Sequence, residues 1–274
     1  MAQSSSSSAA RPERRLRAVQ HRLTGPARRS AVPVLRGTGR GLRVRFGESA
    51  LRRAWARAEA AVEDAFIAHL HVGDVVYDLG ANIGWYSLLA ARAVGPGGRV
   101  LAFEPSLLNA ALVQQNAASN NFENVSVIPA AATDQDGWMT FLDKGNLESR
   151  LDKDDSEAQA ERRAEREQHV VGESIVPVTT LDSWLAQTSQ PPPNLVKIDV
   201  EGAELGVLRG MGEILRANRP TLIIELHGTR TEVVDFLDAA GYRHAPIEVG
   251  GPTSEAPPWA HVLAQPGAAA DGAS

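Results

Sequence analysis

Five short apolar runs, Val75-Val76-Tyr77, Arg99–Phe103, Val125–Ile128, Leu195–Val200 and Thr221–Leu226, constrain this chain more than any other feature. Each is too short to be a helix, is rich in Val, Ile or Leu, and is separated from the next by enough residues for a helical crossover. Strands and helices in alternation require a mostly parallel, doubly wound α/β sheet covered on both faces, with ligands at the C-terminal ends of the strands. At or just past those ends stand Asp78, Glu104, Asp199 and His227.

The first unit is the most detailed. After Tyr77 comes Asp78-Leu79-Gly80-Ala81-Asn82-Ile83-Gly84, then a helical segment from Trp85 to Ala93, a stop at Gly95-Pro96-Gly97-Gly98, a second strand, and Glu104. Glycine at 80 and 84 permits a turn with strained dihedrals and close approach of a ligand to bare backbone, while the helix start offers unpaired N–H groups. An acid at the end of the second strand, about twenty residues on, is placed to accept both hydroxyls of a ribose. The spacing is neither G-x-G-x-x-G nor G-x-x-x-x-G-K-[ST], and a carboxylate at Asp78 repels a pyrophosphate but favours a cationic ligand such as the ammonium and sulfonium of S-adenosylmethionine. The blander reading is a glycine turn of some other α/β enzyme with Asp78 capping the helix; a nicotinamide oxidoreductase is the main enzymatic competitor.

The 274 residues suffice for one large domain, and no apolar run approaches the length of a membrane span. Absence of cysteine removes disulfides, thiolate catalysis and cysteine-ligated zinc. Half of the 28 basic residues lie before residue 60, all of them Arg, against a net charge of −5 overall. The expected organisation is a disordered basic Ser/Arg-rich leader at 1–32, a single domain at 33–264 with a charged insert at about 143–173, and a disordered tail at 265–274. The leader has the composition of a transit peptide or of an ordinary disordered tail, so the expected location is cytoplasmic, or organellar on the first reading. It carries no aromatic residue for stacking on bases.

Elsewhere the pattern predicts a glycine-linked strand pair over 34–46 covering one edge of the domain, and helices over 58–70, from Pro105 to Asn120, 201–216 and 231–240. A final hairpin spans 242–263. Leu142 to Glu173 is the least sheet-like stretch, read as a lid over Gly145 to Asp152 and a solvated helix over 155–168. Those loops and the final hairpin are expected to contact the acceptor.

Five motifs occur in order: D-L-G-A-N-I-G at 78–84, F-E-P at 103–105, T-L-D at 180–182, V-K-I-D-V-E-G-A-E at 196–204 and E-L-H at 225–227. Together they resemble the FkbM family of S-adenosylmethionine-dependent methyltransferases over about Val72 to His227. The resemblance implies a class I methyltransferase fold of seven strands with the last antiparallel, and methyl transfer to hydroxyl groups of small molecules, natural products or sugars. It implies that Asp78, Gly80, Asn82 and Gly84 line the methionine part of the cofactor, that Glu104 holds the ribose, and that Asp199 and Glu201 lie near the methyl. Asp134 is a candidate for the adenine side.

Positioning a hydroxyl in line with the S–CH₃ bond is the main task, with a base to take its proton. His227 is the first candidate for that base and Asp199 the second; the alternative role of His227 is a hydrogen-bonded strand-end histidine. No metal is expected, although Asp199 and Glu201, with Glu204, offer oxygen ligands if the enzyme is Mg²⁺-dependent; the two glutamates also suit a helix first turn. Alternatives are N-methyl transfer, a macromolecular acceptor, or a catalytically silent binding protein. A nucleic-acid acceptor is disfavoured by the acidic run Asp199-Val200-Glu201-Gly202.

Overall fold

The computed structural model describes residues 31–45, 59–143, 150–151 and 172–267. An antiparallel hairpin, β1 (Val32–Pro33) and β2 (Arg43–Val44), precedes helix α1 (Ala60–Ala68). A β-α-β-α-β run follows: β3 (Val75–Leu79), α2 (Trp85–Val94), β4 (Arg99–Phe103), α3 (Leu107–Ser119) and β5 (Val125–Ile128). Then come β6 (Ala131–Ala132), β7 (Gly137–Asp143), β8 (Arg150–Leu151) and β9 (Gly172–Thr179). The last third holds α4 (Leu181–Gln187), β10 (Leu195–Ile198), α5 (Glu204–Arg209), α6 (Gly212–Ala217), β11 (Thr221–Glu225), α7 (Arg230–Ala239), β12 (Tyr242–Pro246) and β13 (His261–Pro266).

The main sheet has seven strands in the order β5-β4-β3-β10-β11-β13-β12. From β5 to β11 neighbours are parallel, and β13 is inserted antiparallel between β11 and β12. This is the fold that the five apolar runs and the resemblance imply. The order reverses between β3 and β10, which places the switch point, and hence the ligand crevice, between the first and fourth of the predicted strands.

Both faces of the sheet are covered, which is why its strands read as apolar runs instead of alternating. Tyr77, Leu79, Val196, Ile198, Leu222 and Ile224 pack with α5, α6 and α7 on one face. Val76, Val100, Leu195 and Ile223 pack with α1 and α2 on the other. Eight of the ten residues of α2 are buried, because α1 and the N-terminal hairpin cover its outer side.

That hairpin was expected at an edge of the domain; it lies instead over the helix layer. Asn116 of α3 and Asn120, which caps it, accept hydrogen bonds from the backbone N–H groups of Arg45 (2.6 Å) and Arg43 (2.7 Å), and Gly39 sits directly against the Trp85 ring. Strands too short to extend a sheet find their hydrogen-bond partners in side-chain amides.

The stretch with the weakest sheet signal is bounded by strands. β7 and β9 pair antiparallel from Gly137↔Val178 to Asp143↔Gly172, and with β6 and β8 they form a four-stranded second sheet. Its inner face buries Phe141, Val176 and Val178, but Trp138 and Ile175 on the outer face are 71% and 63% exposed, so apolar residues on both faces hide the alternation. Arg150 and Leu151, at the end of the expected lid, belong to β8. The rest of that lid, the helix over 155–168 and most of the leader and tail lie outside the described residues. Val32 of β1 falls within the expected leader, and β13 runs to Pro266, two residues into the expected tail.

Candidate active site

The turn after β3 is built on left-handed backbone at three residues. Gly80 (φ +78°), Asn82 (φ +53°) and Gly84 (φ +86°) all lie in the left-handed region. The N–H groups of Gly80 and Ala81 both donate to the Phe103 carbonyl (3.0 Å each), tying the turn to β4. The left-handed dihedrals expected at Gly80 and Gly84 are present, and the structure adds a second reason for glycine. A Cβ on Gly80 would overlap the carbonyl oxygen of Asp199, and one on Gly84 would press on Val113 of α3 at 3.0 Å. Both glycines thus serve packing of protein against protein; at Gly80 this joins the first motif to the one at 196–204.

Asp78 is 1% exposed. Its side chain is buried and accepts a hydrogen bond from the Ser87 hydroxyl of α2 (2.5 Å), with Lys197 opposite it in the neighbouring strand. Burial raises its pKa, against the charge of Lys197 and the Ser87 hydrogen bond. Asp78 is thus part of a buried polar group with Ser87 and Lys197.

Glu104 does face the turn. One carboxylate oxygen accepts the Asn82 N–H (2.7 Å) and the other the Ser106 N–H (2.8 Å), and the Asn109 side chain adds a third hydrogen bond. The side-chain oxygen of Asn82 is buried without a hydrogen-bond partner. An unused acceptor beside an anchored carboxylate suits a ligand rich in O–H or N–H groups, and S-adenosylmethionine offers both in its ribose and ammonium.

Burial lifts the Glu104 pKa from 4.5 to about 8, with the two backbone hydrogen bonds opposing the rise. Because the folded value lies above the unfolded one, the protein loses stability as pH rises from about 4.5 to about 8, by about 2–5 kcal/mol. In Glu104→Gln that slope should be absent when melting temperature is followed across the interval, and parallel curves for the two proteins would refute the assignment. Ribose hydroxyls donating to the ionised carboxylate should in turn bind more tightly as pH approaches 8.

Asp134 is exposed and accepts a hydrogen bond from Thr133 (3.0 Å) beside Gly210 at the end of α5. This places it at the joint between α5 and the second sheet. The T-L-D motif is also a joint. Thr180 caps α4, and the Asp182 carboxylate accepts the N–H groups of Glu213 (2.8 Å) and Ile214 (3.0 Å) at the start of α6.

At the ends of β10 and β11 the acidic constellation assembles around one imidazole. Asp199 accepts a charged hydrogen bond on Oδ2 from Lys197 (2.8 Å), a 2% exposed ammonium lying 4.4 Å above the Tyr86 ring. Burial pulls the Lys197 pKa down, but Asp199, Asp78 and Glu225 together hold it above the ordinary lysine value. Glu201, with φ +51°, turns its carboxylate to 3.6 Å from His227 Nε2. The same nitrogen lies 3.5 Å from Glu225 Oε1 and 3.9 Å from Asp199 Oδ1.

Glu204, expected as a possible metal ligand, turns the other way. It is wholly buried in the first turn of α5, accepts the Gly202 N–H (2.8 Å) and the Thr229 hydroxyl (2.8 Å), and meets His227 Nδ1 at 2.9 Å. A carboxylate can only accept, so Nδ1 carries a proton.

His227 is not suited to be the base. Burial alone would lower its pKa, but Glu204, Glu225 and Glu201 outweigh that and carry it from 6.5 to about 11. An imidazole that is already cationic at neutral pH has no lone pair to offer.

Sequence reasoning missed His261. It is the first residue of β13, directly opposite Glu225, and its Nδ1 meets Glu248 at 2.5 Å while Nε2 lies 3.2 Å from Glu225 Oε2. Nothing local could have marked it, because it reaches the site only when β13 inserts beside β11.

A family model described as the methyltransferase FkbM domain matches residues 78–244. The 31-O-demethyl-FK506 methyltransferase FkbM of Streptomyces tacrolimicus is 31% identical over 194 residues, covering 63% of this chain and 74% of that protein. The hexuronic acid methyltransferase AglP of Haloferax volcanii is 25% identical over 193 residues, covering 68% and 72%. Among solved structures, a methyltransferase FkbM from Methylobacillus flagellatus KT matches with 19% identity and a TM-score of 0.46, over 70% of this chain and 43% of that one. Among the described residues no helix is long and apolar enough to cross a membrane.

Proposed function

Because the chain belongs to the FkbM methyltransferase domain family, we propose that it transfers a methyl group from S-adenosylmethionine to a hydroxyl of a small molecule, natural product or sugar. The observation that carries this reading is the pairing, at one switch point, of a ribose-type acceptor at Glu104 with an acidic reaction centre at Asp199. When bound, the cofactor supplies a methyl group already activated on a positively charged sulfur.

The protein's own residues then have three tasks. Glu104 and Asn82 hold the nucleoside end through the carboxylate and the unused amide oxygen. Asp199, clamped by Lys197, orients the acceptor hydroxyl and takes its proton as the oxygen attacks the methyl carbon from the side opposite the sulfur. His227 and Lys197 partly balance the carboxylates. The names of two relatives support oxygen-bearing acceptors, a demethylated FK506 oxygen in one and a hexuronic acid in the other.

Calorimetry of the full chain with S-adenosylmethionine and, separately, NAD tests the cofactor. Incubation with hydroxylated acceptors, followed by mass spectrometry for products heavier by one CH₂ and for S-adenosylhomocysteine, tests the transfer. Binding of NAD in preference to S-adenosylmethionine would overturn the reading, and methylation confined to amines would replace the hydroxyl by a nitrogen acceptor.

A further inference from the structure

The pairing of β11 with β13 continues past Glu225↔His261, the last pair of the ladder. The Leu226 N–H donates to the Ala260 carbonyl (3.0 Å) and the Gly228 N–H to the Pro258 carbonyl (3.1 Å). His227 lies between the two donors and Trp259 between the two acceptors, so their backbones run side by side at the edge of the acidic centre. Trp259 is 58% exposed there.

The segment that presents this ring is firmly built. Trp259 belongs to a turn closed by the Ala260 N–H on the Pro257 carbonyl (3.1 Å), and two successive prolines, Pro257 and Pro258, fix the backbone leading into it. Upstream, the Arg230 guanidinium donates to the Ala256 carbonyl, and His244 Nδ1 meets the Thr253 hydroxyl at 2.9 Å. Thr253, Ala256 and Ala260 are all buried. A large aromatic ring is therefore held in solvent at a defined place beside the site, and its burial is still available to a ligand.

We propose that Trp259 is the platform on which the methyl acceptor rests, and that the acceptor is a ring-shaped polyol, a pyranoside or a cyclitol. The Asp199, Glu201 and Glu225 side chains are between 21% and 24% exposed, so what an incoming molecule meets next to the indole is a set of hydroxyl-accepting carboxylates. A polyol ring answers both features. Its hydroxyl groups project from the rim as donors, and its C–H groups form an apolar face whose slight positive charge suits the negative face of an indole. A phenol would use the indole but offers few hydroxyls, and an open-chain polyol would use the carboxylates but has no face to stack. That the bound ring is the methyl acceptor rests on the methyl-transfer reading; its binding to Trp259 does not.

The test uses the full chain and a panel of methyl pyranosides of glucose, galactose, mannose and rhamnose with myo-inositol, against sorbitol and catechol. Binding is followed by saturation-transfer nuclear magnetic resonance of the ring protons in the presence of S-adenosylhomocysteine, and turnover with S-adenosylmethionine. At least one cyclic polyol should bind in preference to sorbitol and catechol. Trp259→Ala should weaken that binding and raise KM by ~10–100-fold, as expected for loss of one buried aromatic face, with kcat changed by less than about threefold. Trp259→Phe should restore most of the loss, and melting curves and S-adenosylmethionine affinity should match wild type in both variants. Undiminished binding in Trp259→Ala, or a preference for catechol or sorbitol, would overturn the platform while leaving methyl transfer intact. So would a dimer that dissociates in Trp259→Ala with glycoside binding unchanged, which would make the indole a contact between copies. Glycoside binding that depends on Trp259 but is never followed by methyl transfer would refute the function and spare the platform.

Discussion

Gly80→Ala should unfold or severely weaken the domain, at a cost of about 2–6 kcal/mol, as the sum of a left-handed dihedral and an overpacked contact. The dihedral is +78°, and the added Cβ would meet the Asp199 carbonyl oxygen, which belongs to backbone and has no side-chain freedom with which to retreat. Asp199 is itself tied to the same place, since its N–H donates to the Leu79 carbonyl (3.0 Å). Gly37→Ala is the control, because Gly37 has a similar dihedral of +75° with nothing within 4 Å of the added atom. Urea midpoints of the two variants separate strain from contact. An equal loss in both would mean that the junction between the β3 turn and the end of β10 has no steric tension, and that glycine at 80 answers only to the turn.

The second large effect is on turnover. Asp199→Asn should reduce it by about 10²–10⁴-fold, the range associated with losing a positioned proton acceptor, while S-adenosylmethionine affinity and fold are retained. The amide preserves an oxygen for Lys197, so the ammonium is not abandoned in the core, which confines the change to the acceptor side of the site. Single-turnover kinetics with saturating cofactor, alongside a cofactor titration, checks both halves of this expectation. Near wild-type turnover would remove Asp199 from the chemistry. A parallel loss of cofactor affinity would instead assign it to holding the methyl donor.

The parts of the site that were legible in the sequence are those set by residues close in the chain. A strand, a glycine turn, a helix and an acid at the next strand end have fixed spacing, so Glu104 beside the Asn82 turn could be anticipated. His227 shows where such reading fails. Its identity suggested a base near neutral pH, but its pKa depends on Glu201, Glu204 and Glu225, which reach it from two different strand ends. The burial of Asp78 is likewise a tertiary result. The parity of a strand decides which face a side chain occupies, and here that face is the one covered by Ser87 and paired with Lys197.

What the sequence determined by itself is the layered α/β architecture, because short apolar runs and 3.6-residue helical periods are properties of local segments. The FkbM motifs added the family, and the family match over residues 78–244 agrees with it. Tertiary structure alone decided which carboxylates share a space. β13 carries His261 to Glu225, the Gly80 turn packs on Asp199, and Glu204 supports His227 from behind. Electrostatic interaction falls with distance through space, not along the chain, so the charge state of His227 became defined only when residues 199 to 227 folded against one another.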